Sequence, residues 1–157
     1  MNCYCLFCRT QETERIAEEL RRCRNVRAFS PQIVQRKWVR GQEIEERHRY
    51  LPGYVFVYAE EGDRPGLWTD GVIRILNEGE PLEGSDLDFA LGLLRTEGVI
   101  GHVKVHQVGD RLTVAGGLLN GLEGEILKVD RHRTRLLLRF SFDNTERDVW
   151  LGYDVVE

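Results

Sequence analysis

Apolar and polar residues follow different patterns on the two sides of residue 98. Before it, short apolar runs typical of strands are separated by two segments with helical spacing, residues 10–23 and residues 85–98. The run at residues 54–60 (YVFVYAE) is the strongest strand signal, because aromatic and β-branched side chains suit a pleated sheet. Ser85 is placed to cap the second helix and Gly98 to close it. This part of the chain predicts one sheet with two or three helices.

Residues 32–51 predict a hairpin with a charged tip. Two extended arms, rich in polar and charged residues, surround Arg40, Gly41 and Gln42.

The pattern changes after residue 98. Residues 99–107 alternate without a helix signal and are interpreted as a linker that can pair locally. From residue 108 to residue 157, short apolar runs are separated by Gly, Asn and Asp turns, which is typical of a small β-barrel. We therefore predict an α+β chain with an N-terminal domain over residues 1–98 and a barrel domain over residues 108–157.

The charge balance argues against a protein that holds nucleic acid alone. Lysine and arginine number 22 and aspartate and glutamate 26, which gives a formal net charge of −4. Nucleic-acid binding usually relies on a basic surface that neutralises phosphates. Contact with DNA or RNA must then come from a local basic patch or through a larger partner, which favours an adaptor.

The hydropathy pattern predicts a cytoplasmic protein. Mean hydropathy is −0.39, and no apolar run approaches the roughly 20 residues that span a bilayer. The N-terminus lacks the basic and apolar regions of a signal peptide. We expect no membrane contact, and we expect thiols that stay reduced.

Cys3, Cys5 and Cys8 have the spacing C-x-C-x-x-C, which suggests a metal site at first sight. In a strand, however, Cys3 and Cys5 lie on one face and Cys8 on the other, so three thiolates do not converge on one tetrahedral ion. Buried thiols in a core strand are the simpler interpretation. We predict neither a metal nor another cofactor.

Catalysis is also not predicted. The four histidines lie in charged or linker stretches, and no nucleophile motif is near them. The residues are His48, His102, His106 and His132.

Two motifs identify a family. Residues 109–130 (GDRLTVAGGLLNGLEGEILKVD) resemble the KOW motif, which occurs in ribosomal proteins and in the NusG/Spt5 family of transcription factors. Residues 50–59 (YLPGYVFVYA) resemble the F-P-G-Y-V-x-V segment of the NusG N-terminal domain. The remaining parts follow in the order of that family over essentially the whole chain. The resemblance implies an NGN-type domain, an antiparallel sheet flanked by helices, followed by a small SH3-like KOW barrel.

The resemblance also implies a partner. The N-terminal domain looks like the one that docks through an apolar depression onto the clamp helices of the largest RNA polymerase subunit and keeps that enzyme processive. Aromatic anchors suit this role, and Tyr54 and Phe56 point the same way on one strand. The alternative is that both rings fill the core beneath a helix. The matching residues, expected to form one hollow open to solvent, are Tyr4, Tyr54, Phe56 and Ile75.

Basic residues on the hairpin are the candidates for contact with non-template DNA or nascent RNA. Three glutamates lie among them, so the alternative is a solvated hairpin whose opposite charges face each other. A second basic cluster lies in the barrel and is similar to that of antiterminators of the LoaP type, which recognise an RNA hairpin. Trp38 either stacks on a base or packs. The hairpin candidates are Arg36, Lys37, Arg40, Arg47 and Arg49, and the barrel candidates are Arg131, Arg133 and Arg135.

The barrel is expected to hold a partner of its own. Leu119 and Phe142 match positions at which family members contact a ribosomal protein or the termination factor Rho. Phe142 lies in a turn-prone stretch (FSFDNTER) and is expected to be exposed.

Together these features predict a monomeric transcription elongation and antitermination factor. Departures from the family pattern at Cys3, Gln11 and Thr13 favour a specialised paralogue of the LoaP/RfaH kind. The alternative hypothesis is a ribosome-associated KOW-type RNA-binding protein, against which the acidic isoelectric point and the LPGYVFV segment argue.

Overall fold

The computed structural model of the chain describes residues 1–22, 26–116 and 125–156. Cys23 and Leu119 lie outside the described residues. No helix within the described ranges is long and apolar enough to cross a membrane. The elements are β1 (Asn2–Cys8), α1 (Thr13–Arg21), β2 (Val26–Phe29), β3 (Gln32–Val39), β4 (Gln42–Arg49), β5 (Tyr54–Ala59), β6 (Val72–Ile75), α2 (Gly84–Arg95), β7 (Val99–Ile100), β8 (Val103–Val108), β9 (Arg111–Gly116), β10 (Glu125–Asp130), β11 (Arg135–Phe142) and β12 (Thr145–Val155).

A four-stranded sheet of order β2-β5-β1-β6 forms the centre of the N-terminal part. Every residue of β5 is buried, because α1 covers one face of the sheet while α2 and the C-terminal strands cover the other. This double coverage explains why the sequence of β5 is an almost continuous apolar run.

The predicted hairpin is present and forms a separate sheet of order β4-β3-β7. Its strands pair up to Val39 and Gln42, which leaves Arg40 and Gly41 as a two-residue turn. Both turn residues have positive φ angles, 52° and 78°, as the tight primed turns of hairpins require. The hairpin arms are largely exposed.

The C-terminal strands form a five-stranded sheet of order β10-β11-β12-β8-β9, which we call the barrel. The long strand β12 pairs with β11 along most of its length and then runs parallel to β8. The predicted α+β class, with a KOW-like barrel after the N-terminal sheet, is confirmed.

Residues 99–107, interpreted as a linker, pair with both parts of the molecule. Strand β7 lies parallel to β3 of the hairpin sheet, and β8 is an inner strand of the barrel. The alternating pattern of this segment thus corresponds to two short strands. One continuous stretch of chain therefore contributes a strand to the hairpin sheet and a strand to the barrel.

The first strand has the predicted arrangement of thiols. Cys3 and Cys5 belong to the apolar cluster on the α2 side of the sheet, and Cys8 belongs to the cluster on the α1 side. All three are free and buried, and burial raises the pKa of each thiol above its ordinary value. The three cysteines serve as core residues.

The second helix begins slightly before the predicted cap. Glu83 precedes the first turn, and neither it nor Ser85 caps the helix with a side-chain hydrogen bond. Gly98 ends the region as predicted: its φ angle is +85°, and its N–H donates to the carbonyl oxygen of Leu93 at 2.8 Å.

Gly53, in the LPGY segment, lets the loop before β5 approach β1 closely. Its φ angle is +94°, and an added Cβ would lie 2.9 Å from the carbonyl oxygen of Cys8 and 2.9 Å from the ring of Phe7. The carbonyl of Gly53 also accepts a hydrogen bond from the N–H of Cys8 at 2.7 Å. Only glycine combines this backbone angle with this separation.

We expect Gly53→Ala to lower the free energy of unfolding by about 1–3 kcal/mol through backbone strain, with a further steric penalty. Urea denaturation of the full chain measures this decrease in the free energy of unfolding. Gly62→Ala is the matched control, because Gly62 has a similar φ angle of +89° but nothing within 4 Å of its added Cβ. Equal destabilisation by both substitutions would contradict the close-approach explanation.

Candidate functional site

The four predicted polymerase contacts lie on opposite faces of the four-stranded sheet. Tyr54 and Phe56 point together, as predicted, toward α2 and the barrel. Tyr4 and Ile75 point toward the α1 side. The expectation of one common hollow is wrong, because Tyr4 pairs with Val57 and therefore lies out of phase with the two rings on β5.

An aromatic slot lies on the face that Tyr54 and Phe56 share. Phe89 of α2 packs beside Phe56, with the ring centroids 5.8 Å apart. The ring of Phe142, from the end of β11, fills the slot at 5.3 Å from Tyr54, 5.4 Å from Phe56 and 5.2 Å from Phe89. Phe140 stacks on Phe89, with the ring centroids 5.3 Å apart. The slot thus accepts one complete aromatic side chain.

The expectation that Phe142 is exposed is wrong. Its exposed fraction is 0%, although it directly precedes the turn between β11 and β12. The turn residues Asp143 and Asn144 have φ angles of 54° and 57°, so the hairpin is tight and narrow. The narrow end of the β11–β12 hairpin, which we call the barrel tip, can insert between β5 and α2. The residue before its turn is buried there.

Polar groups surround the inserted tip. The carboxylate of Asp143 accepts hydrogen bonds from the hydroxyl of Tyr54 at 2.8 Å and from Nη2 of Arg74 at 2.5 Å. The backbone N–H of Asp143 donates to Oδ1 of Asp86 at 3.2 Å. Arg147 of β12 lies over the ring of Tyr54 at 5.5 Å. The tip is therefore bound by ring packing, an ion pair and two further hydrogen bonds.

The pKa values of the two carboxyl groups at the barrel tip, those of Asp143 and Asp86, are shifted in opposite directions. Burial disfavours the charge of Asp143, but hydrogen bonds from Arg74 and Tyr54 outweigh this and lower the pKa of its carboxyl group. Burial raises the pKa of Asp86, which forms no ion pair with a described residue, and the nearby Asp143 charge adds to the rise. Asp143 is thus the carboxylate that this site stabilises.

A second contact between the hairpin and the barrel is centred on Arg36. Its side chain is only 10% exposed, and its Nη2 lies 2.7 Å from Oδ1 of Asp154 on β12. Its Nη1 donates to the carbonyl oxygens of Thr134 at 3.1 Å and Tyr153 at 3.0 Å. Its Nε lies 2.7 Å from Glu43 in an ion pair without hydrogen-bond alignment. We call this group the Arg36 clamp.

His102 completes the clamp from the segment that precedes β8. Its Nδ1 lies 2.8 Å from Nη2 of Arg36, and its Nε2 lies 3.2 Å from Glu45. Burial raises the pKa of Asp154, but hydrogen bonds from Arg36 and His102 outweigh it and lower that pKa. Gly152 is required here, because an added Cβ would lie 2.9 Å from the His102 ring.

A cavity of about 330 Å³ opens on the α1 side of the sheet. Tyr4 and Ile75 line it together with Leu67 and Trp68, and Trp68 is 68% exposed. The barrel does not line this cavity. Tyr4 and Ile75 therefore border an open cavity, although their exposed fractions are only 5% and 8%. The barrel covers Tyr54 and Phe56.

The predicted basic residues of the hairpin have different roles. Arg36 belongs to the clamp, Lys37 pairs with Glu46 at 3.6 Å, and Arg49 donates to the carbonyl of Thr10 at 3.3 Å. Arg40 and Arg47 are exposed and form no ion pair with any described residue. Arg36, Lys37 and Arg49 thus have partners within the molecule, and nucleic-acid contact by Arg40 and Arg47 stays a prediction. Trp38, 47% exposed, does not pack into the core.

The basic residues of the barrel lie around the turn between β10 and β11. Arg131 donates to the carbonyl of Asp110, and Nε of Arg135 lies 3.4 Å from Asp130. Arg135 also covers the ring of Trp150 at 4.4 Å. Arg133 is exposed beside them. Leu119, the second predicted partner contact, falls outside the described residues.

Sequence reasoning missed the residues that bind the tip and complete the clamp. They are polar or charged residues in the first turn of α2, in loops and turns or on strands, where such side chains are common and give no signal. The stretch FDNT indicated a turn, but a turn pattern does not show what lies opposite it. The missed residues are Arg74, Asp86, His102, Asp143 and Asp154.

Comparisons with known proteins agree with this fold. The family model described as "Transcription termination factor nusG" matches residues 1–111. A solved structure titled "Domain interaction in Thermotoga maritima NusG" matches with 18% sequence identity and a TM-score of 0.55, and the match covers 96% of this chain and 93% of that chain. At this identity the likeness concerns the fold. No curated protein matches the chain.

We expect Arg36→Ala to lower the free energy of unfolding by about 1–3 kcal/mol, because it leaves Asp154 without its charged donor. Thermal or urea denaturation of the full chain measures the change. Lys37→Ala, on the same strand, removes only an exposed pair and should change stability by about 0.5 kcal/mol or less. Similar destabilisation by the two variants would argue against the clamp.

Proposed function

Because this chain belongs to the NusG family of transcription factors, we propose that it is a non-catalytic elongation and antitermination factor. In this proposal it binds the clamp helices of the largest RNA polymerase subunit through the face that carries Tyr54 and Phe56. The slot between these rings and Phe89 carries the proposal, because it accepts a complete aromatic side chain. Such desolvated aromatic pockets dominate many interfaces.

The barrel and the polymerase compete for this slot. We call the arrangement in which Phe142 and Asp143 occupy the slot closed, and one in which the barrel has left it open. The polymerase binds only open molecules. The measured affinity is then the intrinsic affinity reduced by the open fraction. The polymerase favours the open state because it binds that state alone.

The cavity lined by Tyr4 and Ile75 is the second part of the proposed polymerase contact. It is apolar and lies away from the barrel, so closure leaves it accessible. Trp68 at its rim offers a large exposed apolar surface. A first encounter at this cavity would hold the polymerase near the slot until the barrel moves.

Nucleic-acid contact is assigned to Arg40 at the turn of the hairpin and to Arg47 on strand β4. Arg40 and Arg47 are exposed and lack ion pairs among the described residues, whereas Arg36 is held in the clamp. Phosphate contact needs a basic group without a competing carboxylate. The proposed ligand is non-template DNA or nascent RNA beside the polymerase.

The barrel is proposed to bind its own partner once it is released. Phe142 becomes exposed only then, so contact with a ribosomal protein or Rho requires the open form. The exposed Arg133 and the neighbouring Arg131 are the candidates for RNA contact. The departures at Cys3, Gln11 and Thr13 support a specialised paralogue.

The family match to residues 1–111 favours this function over a ribosome-associated RNA-binding protein. That match includes the whole N-terminal sheet. A KOW barrel that binds ribosomal RNA by itself does not require such a sheet. Affinity capture of the full chain with and without nuclease separates the two hypotheses. Polymerase that is recovered after nuclease treatment supports the proposal, and ribosomal RNA retained without polymerase contradicts it.

We expect Phe142→Ala to raise the apparent affinity for RNA polymerase about tenfold or more, because it weakens the closed state while leaving the slot intact. Fluorescence anisotropy with the full chain and purified polymerase measures the change. Tyr54→Ala in the Phe142→Ala background should remove the gain. Phe56 is not suitable for a charged substitution, since it is fully buried against Phe89 and its change would test folding instead.

Asn144→Gly is the control for the turn, because glycine retains the positive φ angle and leaves Phe142 in place. It should leave polymerase affinity unchanged. If Phe142→Ala binds no more tightly than the unchanged chain, closure does not limit binding.

We expect the double variant Arg40→Ala, Arg47→Ala to weaken binding to single-stranded nucleic acid in the polymerase complex. The slope of log affinity against log salt should fall by roughly 0.7 for each phosphate that the substituted arginines no longer neutralise. Titration at several salt concentrations measures this slope. Lys37→Ala is the control, since Lys37 is already paired with Glu46; an equal effect of that substitution would contradict the assignment.

A further inference from the structure

The closed arrangement contains a ligand for the slot, namely the tip of the barrel hairpin. Its apolar half is Phe142, which is fully buried among three rings. Its polar half is Asp143, whose carboxylate is held by Arg74 and Tyr54. The slot is therefore observed with a bulky apolar side chain and an adjacent carboxylate bound together.

Among the described residues, the N-terminal part supplies both groups that donate hydrogen bonds to the carboxylate. Arg74 lies on the edge strand β6, and the hydroxyl of Tyr54 lies at the start of β5. Asp86, on α2, accepts the backbone N–H of Asp143, which fixes the direction of the turn. A cation, a hydroxyl donor and an acceptor thus surround the apolar slot before any ligand arrives.

Arg74 has no alternative anion within the described part of the chain. Its ion pair there is with Asp143 alone, and its guanidinium otherwise lies over the ring of Phe7 at 5.8 Å. When the barrel leaves, this cation loses its counter-ion while the apolar slot opens beside it. A partner that fills the slot without a carboxylate would leave the cation partly desolvated and unpaired, which is unfavourable.

From these contacts we infer that the slot is specific for a turn or helix end that presents a bulky apolar side chain directly followed by an aspartate or glutamate. Arg74 is the residue that selects the acid. The barrel tip is the intramolecular copy of this motif. The inference rests on the proposed function, because it defines the chemistry of the polymerase segment that displaces the barrel.

The test uses the full chain with Phe142→Ala and Asp143→Asn, so that its own tip competes weakly. The probe is a fluorescent cyclic peptide with the sequence of residues 138–147, LRFSFDNTER. We expect the peptide that carries Asp143→Asn to bind about three- to tenfold more weakly, because solvent screens the contact with the half-exposed Arg74. The peptide that carries Phe142→Ala should bind more weakly still.

Arg74→Gln in the protein should remove the preference, so that the acidic and amide peptides bind equally. Arg27→Gln is the matched control, because Arg27 also lies over an aromatic ring, that of Phe29 at 5.3 Å, but not in the slot. It should leave the preference unchanged. Equal binding of the two peptides to the unchanged Arg74 protein, or a preference that survives Arg74→Gln, would overturn the inference.

A second arm separates the inference from the proposed function. Purified RNA polymerase is titrated with the same open chain and with its Arg74→Gln variant, and we expect the variant to bind about three- to tenfold more weakly. No polymerase binding by either chain would overturn the proposed function, while the peptide arm still decides whether Arg74 selects an acid. Equal polymerase binding by both chains would show that the polymerase segment lacks the motif.

Discussion

The insertion of Phe142 and Asp143 between β5 and α2 is the contact on which the arrangement of this molecule depends. Without it, the face of the sheet that carries Tyr54 and Phe56 would be open to water beside Phe89. Burying one aromatic side chain contributes about 1.5–3 kcal/mol, and the ion pair of Asp143 with Arg74 adds direction more than energy because Arg74 is half-exposed. Apolar burial therefore holds the barrel in place, and the charges decide how the tip sits.

The Arg36 clamp fixes the opposite side of the barrel by a different kind of force. It is built from a buried guanidinium, two backbone carbonyls and the carboxylate of Asp154. Added salt screens its partly exposed charges but has little effect on the rings around Phe142. Two unlike contacts give the closed form a defined geometry, because neither a shift nor a rotation of the barrel preserves both. They also leave two separate points at which a partner or a nucleic acid can weaken closure.

Much of the fold followed from short-range patterns. The turn at Arg40 and Gly41, the buried run of β5 and the strands of the barrel lie where glycine and apolar periodicity predicted them. The prediction that Tyr54 and Phe56 lie on the same face of the sheet followed from the two-residue period of side chains along a strand. The position of Tyr4 did not, because its face depends on the register between β1 and β5, and a shift by one residue reverses it. Residues 99–107 alternate, but their partner strands could not be predicted, because β7 pairs with β3 and β8 pairs with β12, both distant in the chain.

The sequence by itself determined the class of the fold, the family and the kind of surface that β5 presents, since these depend on local propensity and on motifs that are contiguous in the chain. Only the tertiary structure decided that this surface is covered, that Phe142 is buried, and that Arg36 joins the barrel instead of facing solvent. The physical reason is that Phe142 lies 86 positions beyond Phe56, and Asp154 lies 118 positions beyond Arg36. Contacts at such separations arise from the packing of whole sheets, for which a single chain sequence carries no local pattern.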